Sequence, residues 1–364
     1  MAKKHSAFVI SLIAVFLGIL IGCIVLLVTG INPINMFIAL FRSMTGFNIL
    51  KPENGISFMY PLNWLLDSLP IILTGLSVGF AYRCGMFNIG GEGQFIVGGL
   101  AATVVALSVP LPPVIHPIVC ILAGALAGAV WAFLPGFLKA TRNINEVVIC
   151  IMLNYIALYF NSWVTRNFLP LDPKTLARTV SFDETCSLGS VSFGTSSQFH
   201  WGFLVVILCM FIYWFVIEKT TFGYSLRATG FNKEGARYAG MKTKTNCTLS
   251  MMIAGAFVGI AGAIVILGVF KYGRIYSAFD NYGFDGISVA LVGATNTIGI
   301  LLSGLLFGLL KTSGNNLQLL GIPKEIGQLI QACIIMLIAV QYGIRYVLNM
   351  LDKRKEKMSD GVTK

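Results

Sequence analysis

An uncharged, strongly apolar stretch runs over residues 7–28, and stretches like it recur along the chain between short polar segments. A helix of ~20 such residues spans the ~30 Å hydrocarbon of a bilayer. That recurrence constrains the fold more than any other feature. The chain is expected to be an all-α polytopic membrane protein. The first stretch follows Lys3 and Lys4 and exceeds the ~7–15 apolar residues of a signal peptide, so it is expected to be retained as the first span. Composition agrees: of 364 residues, 56% are hydrophobic and 11% charged, against ~25% charged in soluble domains. The net charge of +11 is spread over loops and tail rather than clustered, which argues against a nucleic-acid partner and fits the positive-inside pattern of membrane proteins.

Spans are expected over residues 7–28, 62–82, 83–107, 115–138, 145–163, 201–217, 248–270, 271–299 (interrupted), 300–310 and 325–346. That makes about ten, with both termini cytoplasmic, an arrangement that suits the loop charges. The second contains Asp67 and Pro70, the latter a source of a kink. An amphipathic piece over 35–44 is expected at the outer interface, and an outer loop over 46–61. Glu146 suits the start of its helix, where a carboxylate complements the dipole. Residues 166–200 form the largest outer loop, and 317–324 a turn. Residues 1–352 are taken as one transmembrane domain and 353–364 as a basic cytoplasmic tail.

The longest charged interruption, 218–246, carries Lys219, Arg227, Lys233, Arg237, Lys242 and Lys244 against Glu218 and Glu234. It belongs on the cytoplasmic side. Asn232 can cap a short helix over 233–239, and Gly240 can end it in the left-handed region. Such a helix is either a docking surface for a cytoplasmic partner or part of a solvated loop that only sets topology.

Seven of the eight cysteines lie in or beside apolar stretches, and only Cys186 falls in a polar loop. They are expected to be packing residues, and the three scattered histidines give no transition-metal site.

Two glycine-rich segments stand out. In the first, Gly85, Gly90, Gly91 and Gly93 surround Asn88, Glu92 and Gln94; in the second, Gly283 and Gly286 flank Asp285. Non-helical backbone at membrane depth survives only where protein or a water-filled cavity covers it. Each segment is either a broken helix lining a transport path or a tight packing seam. Intramembrane carboxylates are costly and usually functional, which favours the path. Asn88, Glu92, Gln94, Asn154 and Asp285 are the candidate path residues. Residues 85–90 also weakly resemble 283–286. With five spans per half, that is the pattern of an inverted repeat whose interrupted helices meet near the midplane.

The strings AYRCGMFNIGGEGQFIVGGLAA (81–102), NEVVICIMLNYIA (145–157), TTFGYSLRATGFNKEGARYAGM (220–241) and GFDGISVALVGATNTIGILLSGLLFG (283–308) together resemble the permease subunit of a bacterial ABC importer. The closer similarity is to the nucleoside branch of the superfamily that also holds ribose and branched-chain amino acid permeases. It covers residues 62–310. The resemblance implies a multi-pass subunit of the bacterial cytoplasmic membrane working by alternating access on nucleosides, with simple sugars behind. It implies a second, related permease, a cytoplasmic ABC ATPase and an extracytoplasmic substrate-binding lipoprotein. It also implies that residues 222–241 are the segment that couples to the ATPase, with Gly223, Arg227, Gly230, Asn232, Glu234, Arg237 and Gly240 as its site residues. The Glu-Ala-Ala motif of many importers is only echoed, since Glu234 is followed by Gly235 and Ala236.

The chain lacks G-x-x-x-x-G-K-[ST], so it is not expected to bind ATP in the usual way or to need a cofactor of its own. Sparse histidines and the lack of a nucleophile constellation argue against a membrane-embedded enzyme. A secondary transporter driven by an ion gradient is the alternative that the inverted repeat and Glu92 also fit.

Overall fold

The structure, a computed structural model, describes residues 7–50, 53, 55–189, 198–323 and 325–340. The expected basic tail, residues 341–346 of the last span, Lys3 and Lys4, and 190–197 of the large loop lie outside the described residues. Among the described residues, eight helices are long and apolar enough to cross a bilayer. They are α1 (Ala7–Val28), α3 (Met59–Arg83), α4 (Gly91–Ser108), α5 (Ile115–Arg142), α6 (Glu146–Phe168), α7 (Gly202–Lys219), α10 (Thr243–Val265, continued by a wider π turn over Ile266–Phe270) and α12 (Thr297–Leu319). Shorter helices are α2 (Ile34–Thr45), α8 (Thr221–Phe231), α9 (Lys233–Tyr238), α11 (Tyr282–Val292) and α13 (Glu325–Ala339). The fold is thus all-α and polytopic. With α11 and α13, each of the ten expected spans has a helix at its place.

Helix α10 sits at the centre, packed on α3, α4 and α5. Its sequence explains how closely. Gly255 and Gly259 face Gly128 and Gly124 of α5, and Gly259 also meets Gly98 of α4. A Cβ at any of these positions would overlap the neighbouring backbone, so small residues set the three-helix crossing. Helices α3, α4 and α10 are largely enclosed by protein, whereas α1, α5, α6 and α7 bury about a third or less of their apolar windows.

One end of the bundle gathers the basic residues. Arg83 pairs with Glu218 at 3.4 Å, Arg227 with Glu218 at 3.0 Å, and Lys139 with Glu146 at 2.9 Å. At the opposite end, β1 (Arg178–Ser181) and β2 (Tyr272–Arg274) form a two-stranded antiparallel sheet.

Several sequence-based boundaries need correction. The third span does not begin at residue 83: α3 ends at Arg83, residues 84–90 run without helix, and α4 starts at Gly91. Gly85 (φ 75°) makes the turn that stops α3. The span placed at 300–310 is α12, which begins at Thr297 and continues past Lys311 to Leu319. The short helix placed at 233–239 ends at Tyr238, and a second helix, α8, precedes it. Asn145, not Glu146, caps α6, its side chain accepting from Val147 N, while Glu146 pairs with Lys139. The amphipathic piece at 35–44 is α2. Met36, Ala39 and Ser43 are buried, and Asn316 of α12 donates to Ser43 at 2.7 Å. The described part of the large loop is ordered into local structure. It contributes β1 and buries Cys186, whose Sγ lies 3.3 Å from the His116 ring. Cys186 is therefore not a surface thiol.

Candidate functional site

Residues 84–90 and the turn before α11 meet inside the bundle. Gly91 lies against the backbone of Gly283, so closely that a Cβ on either would collide with the other segment. The Glu92 carboxylate crosses this junction. Its Oε1 accepts from Gly283 N at 2.7 Å and Phe284 N at 3.3 Å, the first free amides of α11. An anionic oxygen at a helix N-terminus satisfies orphan donors and complements the dipole. Its Oε2 is buried and has no partner among the described residues.

The first segment is stitched together by amides. Asn88 Nδ2 donates to Ser77 Oγ at 3.0 Å and to Gln94 Oε1 at 2.9 Å, and Gln94 Nε2 donates back to Asn88 Oδ1 at 2.9 Å. Asn154, from α6, accepts from Gly93 N at 2.8 Å and donates to Ile89 O at 3.1 Å. All three amides are buried. They replace the helical hydrogen bonds that residues 84–90 forgo.

The second segment is charged. Lys311 Nζ, on α12, lies 3.2 Å from Asp280 O, 3.4 Å from Asp285 Oδ2 and 3.5 Å from the centroid of the Tyr282 ring. Arg274 pairs with Asp280 through both carboxylate oxygens. One helical step along, Thr312 donates to Asp67 of α3 at 2.8 Å. At ~1.5 Å per residue, Lys311 stands about 20 Å along α12 from its basic end, at membrane depth. Beside it a cavity of about 340 Å³ is lined by Asp280, Asn281, Phe284, Asp285, Lys311, Gln328 and Gln331, among others.

At the basic end, α8 and α9 make a protruding corner. The Thr220 hydroxyl caps α8 through Gly223 N, and a Cβ on Gly223 would strike Val216 O. Arg227 bonds Glu218, and Gly230 lies against the backbone of 83–85. Asn232 caps α9 by accepting from Gly235 N, and Gly240 (φ 80°) terminates it. Thr220, Gly223, Arg227, Gly230, Asn232 and Gly240 build the corner. Glu234 and Arg237 extend from it, their side chains 80% and 75% exposed, beside the bare rings of Phe231 and Tyr238.

Residues 60–339 match the family described as the branched-chain amino acid transport system / permease component. The chain belongs to that family. It is 38% identical over 97% of its length, and 99% of the relative's, to the guanosine ABC transporter permease protein NupP of Bacillus subtilis. It is 33% identical over its full length, and 98% of the relative's, to the nucleoside ABC transporter permease protein NupB of Lactococcus lactis. It is also 29% identical over 94% of its length, and 90% of the relative's, to a glucose ABC transporter permease protein of Haloferax volcanii. The chain is accordingly a multi-pass permease component, a membrane transport subunit rather than an enzyme. Such subunits work with ATPase and substrate-binding partners.

Of the five candidate path residues in this permease, Asn88, Gln94 and Asn154 hold the backbone of the first interruption. Glu92 ties it to the second, and Asp285 alone faces the cavity. Sequence reasoning passed over Lys311 because it was placed past the end of a span. Its signal was a lysine between two apolar halves of one helix. Phe231 and Tyr238 were also missed, for exposure of an aromatic is not legible in sequence.

Proposed function

We propose that the chain is the membrane-embedded permease subunit of an ATP-driven importer that carries nucleosides or related simple sugars across the bacterial cytoplasmic membrane. The near full-length relationship to guanosine and nucleoside permeases carries this reading. The basic end, with both termini, faces the cytoplasm. There α9 docks on a partner ABC ATPase, with Phe231, Glu234, Arg237 and Tyr238 as its contacts, and ATP is bound by that partner. A second, related permease completes the membrane unit. The end bearing β1 and β2 receives a substrate-binding lipoprotein.

The corner has a direct route inward. Gly230 rests on Gly85, which opens the run to Asn88 and Glu92, and Glu92 holds the start of α11. Movement of α9 by the ATPase thus reaches both interruptions through packed backbone and one carboxylate, which suits alternating access.

The test is purification of the tagged chain from its host in mild detergent, with uptake assays on the recovered complex. Recovery of an ATPase and a second permease, with ATP-dependent guanosine uptake in liposomes, supports the reading. A chain recovered alone that moves solute down an ion gradient overturns it. Glu234→Lys and Arg237→Glu are expected to leave the complex folded in the membrane while ATP hydrolysis no longer drives uptake. Normal uptake in both would remove the docking role from α9.

A further inference from the structure

The cavity beside Lys311 joins groups that the two interrupted helices do not need for their own cohesion. Asp285 Oδ1 makes no hydrogen bond among the described residues, nor do the side-chain amides of Asn281 and Gln328. Lys311 reaches Asp285 and the Asp280 carbonyl only at 3.2–3.4 Å, at the long end for charged hydrogen bonds. Intramembrane charges are expensive, and those that face a cavity mark a solute path. The walls are mixed: carboxylate acceptors, an ammonium donor, amides that do both, and the Phe284 ring. The volume of about 340 Å³ sits at the lower end of the ~300–1,000 Å³ usual for ligand pockets, so it takes one small solute.

That set of groups matches a ring bearing adjacent hydroxyls. A vicinal diol donates to a carboxylate and accepts from an ammonium or amide, and a ring face packs on an aromatic. An ionised carboxylic acid would be repelled by Asp285, whereas a guanine base also offers donors and acceptors to this pair, and a dideoxy analogue that keeps the base tells the hydroxyls from it. We propose that this cavity, between the start of α11 and the facing sides of α12 and α13, is a binding station for the sugar ring of the passing substrate. Asp285 and Lys311 bind its vicinal hydroxyls, and Phe284 lies under the solute. This rests on the importer reading above and deepens it: guanosine, nucleosides and glucose, named for the relatives, share adjacent ring hydroxyls and share no base.

Phe284 also carries one of the two amides held by Glu92, and its ring meets Phe279 edge-on. Solute in the cavity therefore touches the residue on which the junction between the two interruptions is fixed. The station stands where occupancy and the state of that junction are read by one side chain.

The experiment introduces Gln328→Cys in a Cys333→Ser background of the complete importer complex and follows its modification by a charged thiol reagent. Guanosine is expected to slow the reaction about tenfold, and 2′,3′-dideoxyguanosine to leave it unchanged, a difference of about 1.4 kcal/mol in occupancy. Adding Asp285→Asn is expected to abolish the protection while the complex is still recovered assembled. If guanosine is taken up yet gives no protection, the station is wrong and the importer reading stands. Equal protection by both nucleosides also overturns the proposal, since the diol would then not be what is recognised. If neither guanosine nor glucose is taken up by the Cys333→Ser parent, the functional reading fails first. Should Asp285→Asn not accumulate, Lys311→Met serves in its place, and retained protection there counts against the proposal.

Discussion

The two interrupted segments look alike in sequence, each a cluster of glycines around carboxylate or amide side chains, but they differ in what those side chains do. In the first, Asn88, Gln94 and Asn154 turn inward on the chain itself and satisfy one another and the backbone of 84–93. In the second, Asp285 and Lys311 pair loosely and line a cavity beside Asp280, whose carboxylate is held by Arg274. The lesson concerns hydrogen-bond capacity. A buried amide whose nitrogen and oxygen are both engaged by the chain holds a frame, whereas a charged group with unused capacity beside a cavity can hold a solute. Glu92 stands between the two, because one of its oxygens is committed to α11 and the other has no partner.

The contrast can be broken most sharply at the junction. Glu92→Ala strands the buried N–H of Gly283 and the partly buried N–H of Phe284, for a loss of about 1–3 kcal/mol from the first and less from the second. Glu92→Gln keeps a carbonyl acceptor and is expected to stay folded. Thermal unfolding in detergent, followed by tryptophan fluorescence, measures both, and an alanine variant as stable as the parent would dissolve the latch. In the first segment, Asn154→Ala removes the partner of Gly93 N and is expected to cost about 1–3 kcal/mol, with uptake falling in proportion to folded protein. In the second, Lys311→Met breaks a partly exposed pair and is expected to cost about 1 kcal/mol or less. Its uptake per folded molecule should nevertheless fall about tenfold. If Lys311→Met unfolds the protein while Asn154→Ala only slows uptake, the assignments of frame and path are reversed.

The smallest effect lies away from both segments, at the sheet-bearing end. The backbone N–H of Lys174 and the Arg178 guanidinium hold the Asp172 carboxyl below the usual carboxylate range. A folded pKa below the unfolded one gives stability that is present above about pH 4 and lost as pH falls through the lowered value. Acid is therefore expected to loosen the hairpin around Asp172 and Arg178 before it disturbs the bundle. Proteolysis of 170–182 as a function of pH measures this, and Asp172→Asn should remove the dependence.

Much of the fold is legible in the sequence because its cause is local. Apolar length, basic loops and glycine spacing led to all the helices placed at the ten expected spans and to the capped α9, with Asn232 and Gly240 at its ends. Both interrupted segments were also found, since glycine with carboxylate and amide in an apolar stretch is anomalous in any window. What the sequence left open is direction. Whether Asn88 points at a path or at Gln94, and whether Lys311 ends a helix or stands inside one, depends on residues as far away as Asn154 and Asp280. The small sheet escaped for the same reason: β1 and β2 lie in loops far apart in the chain and become strands only when paired.

By itself, then, the sequence determined that this chain spans the membrane many times, where its helices break, and which loop is basic, because bilayer thickness and backbone hydrogen bonding act on each segment alone. Only the tertiary structure decided which polar groups close on each other and which face open space. A buried donor or acceptor is satisfied by whatever neighbour the packing supplies, and that neighbour is set by the crossing of α3, α4, α6 and α11 rather than by any residue nearby in the chain.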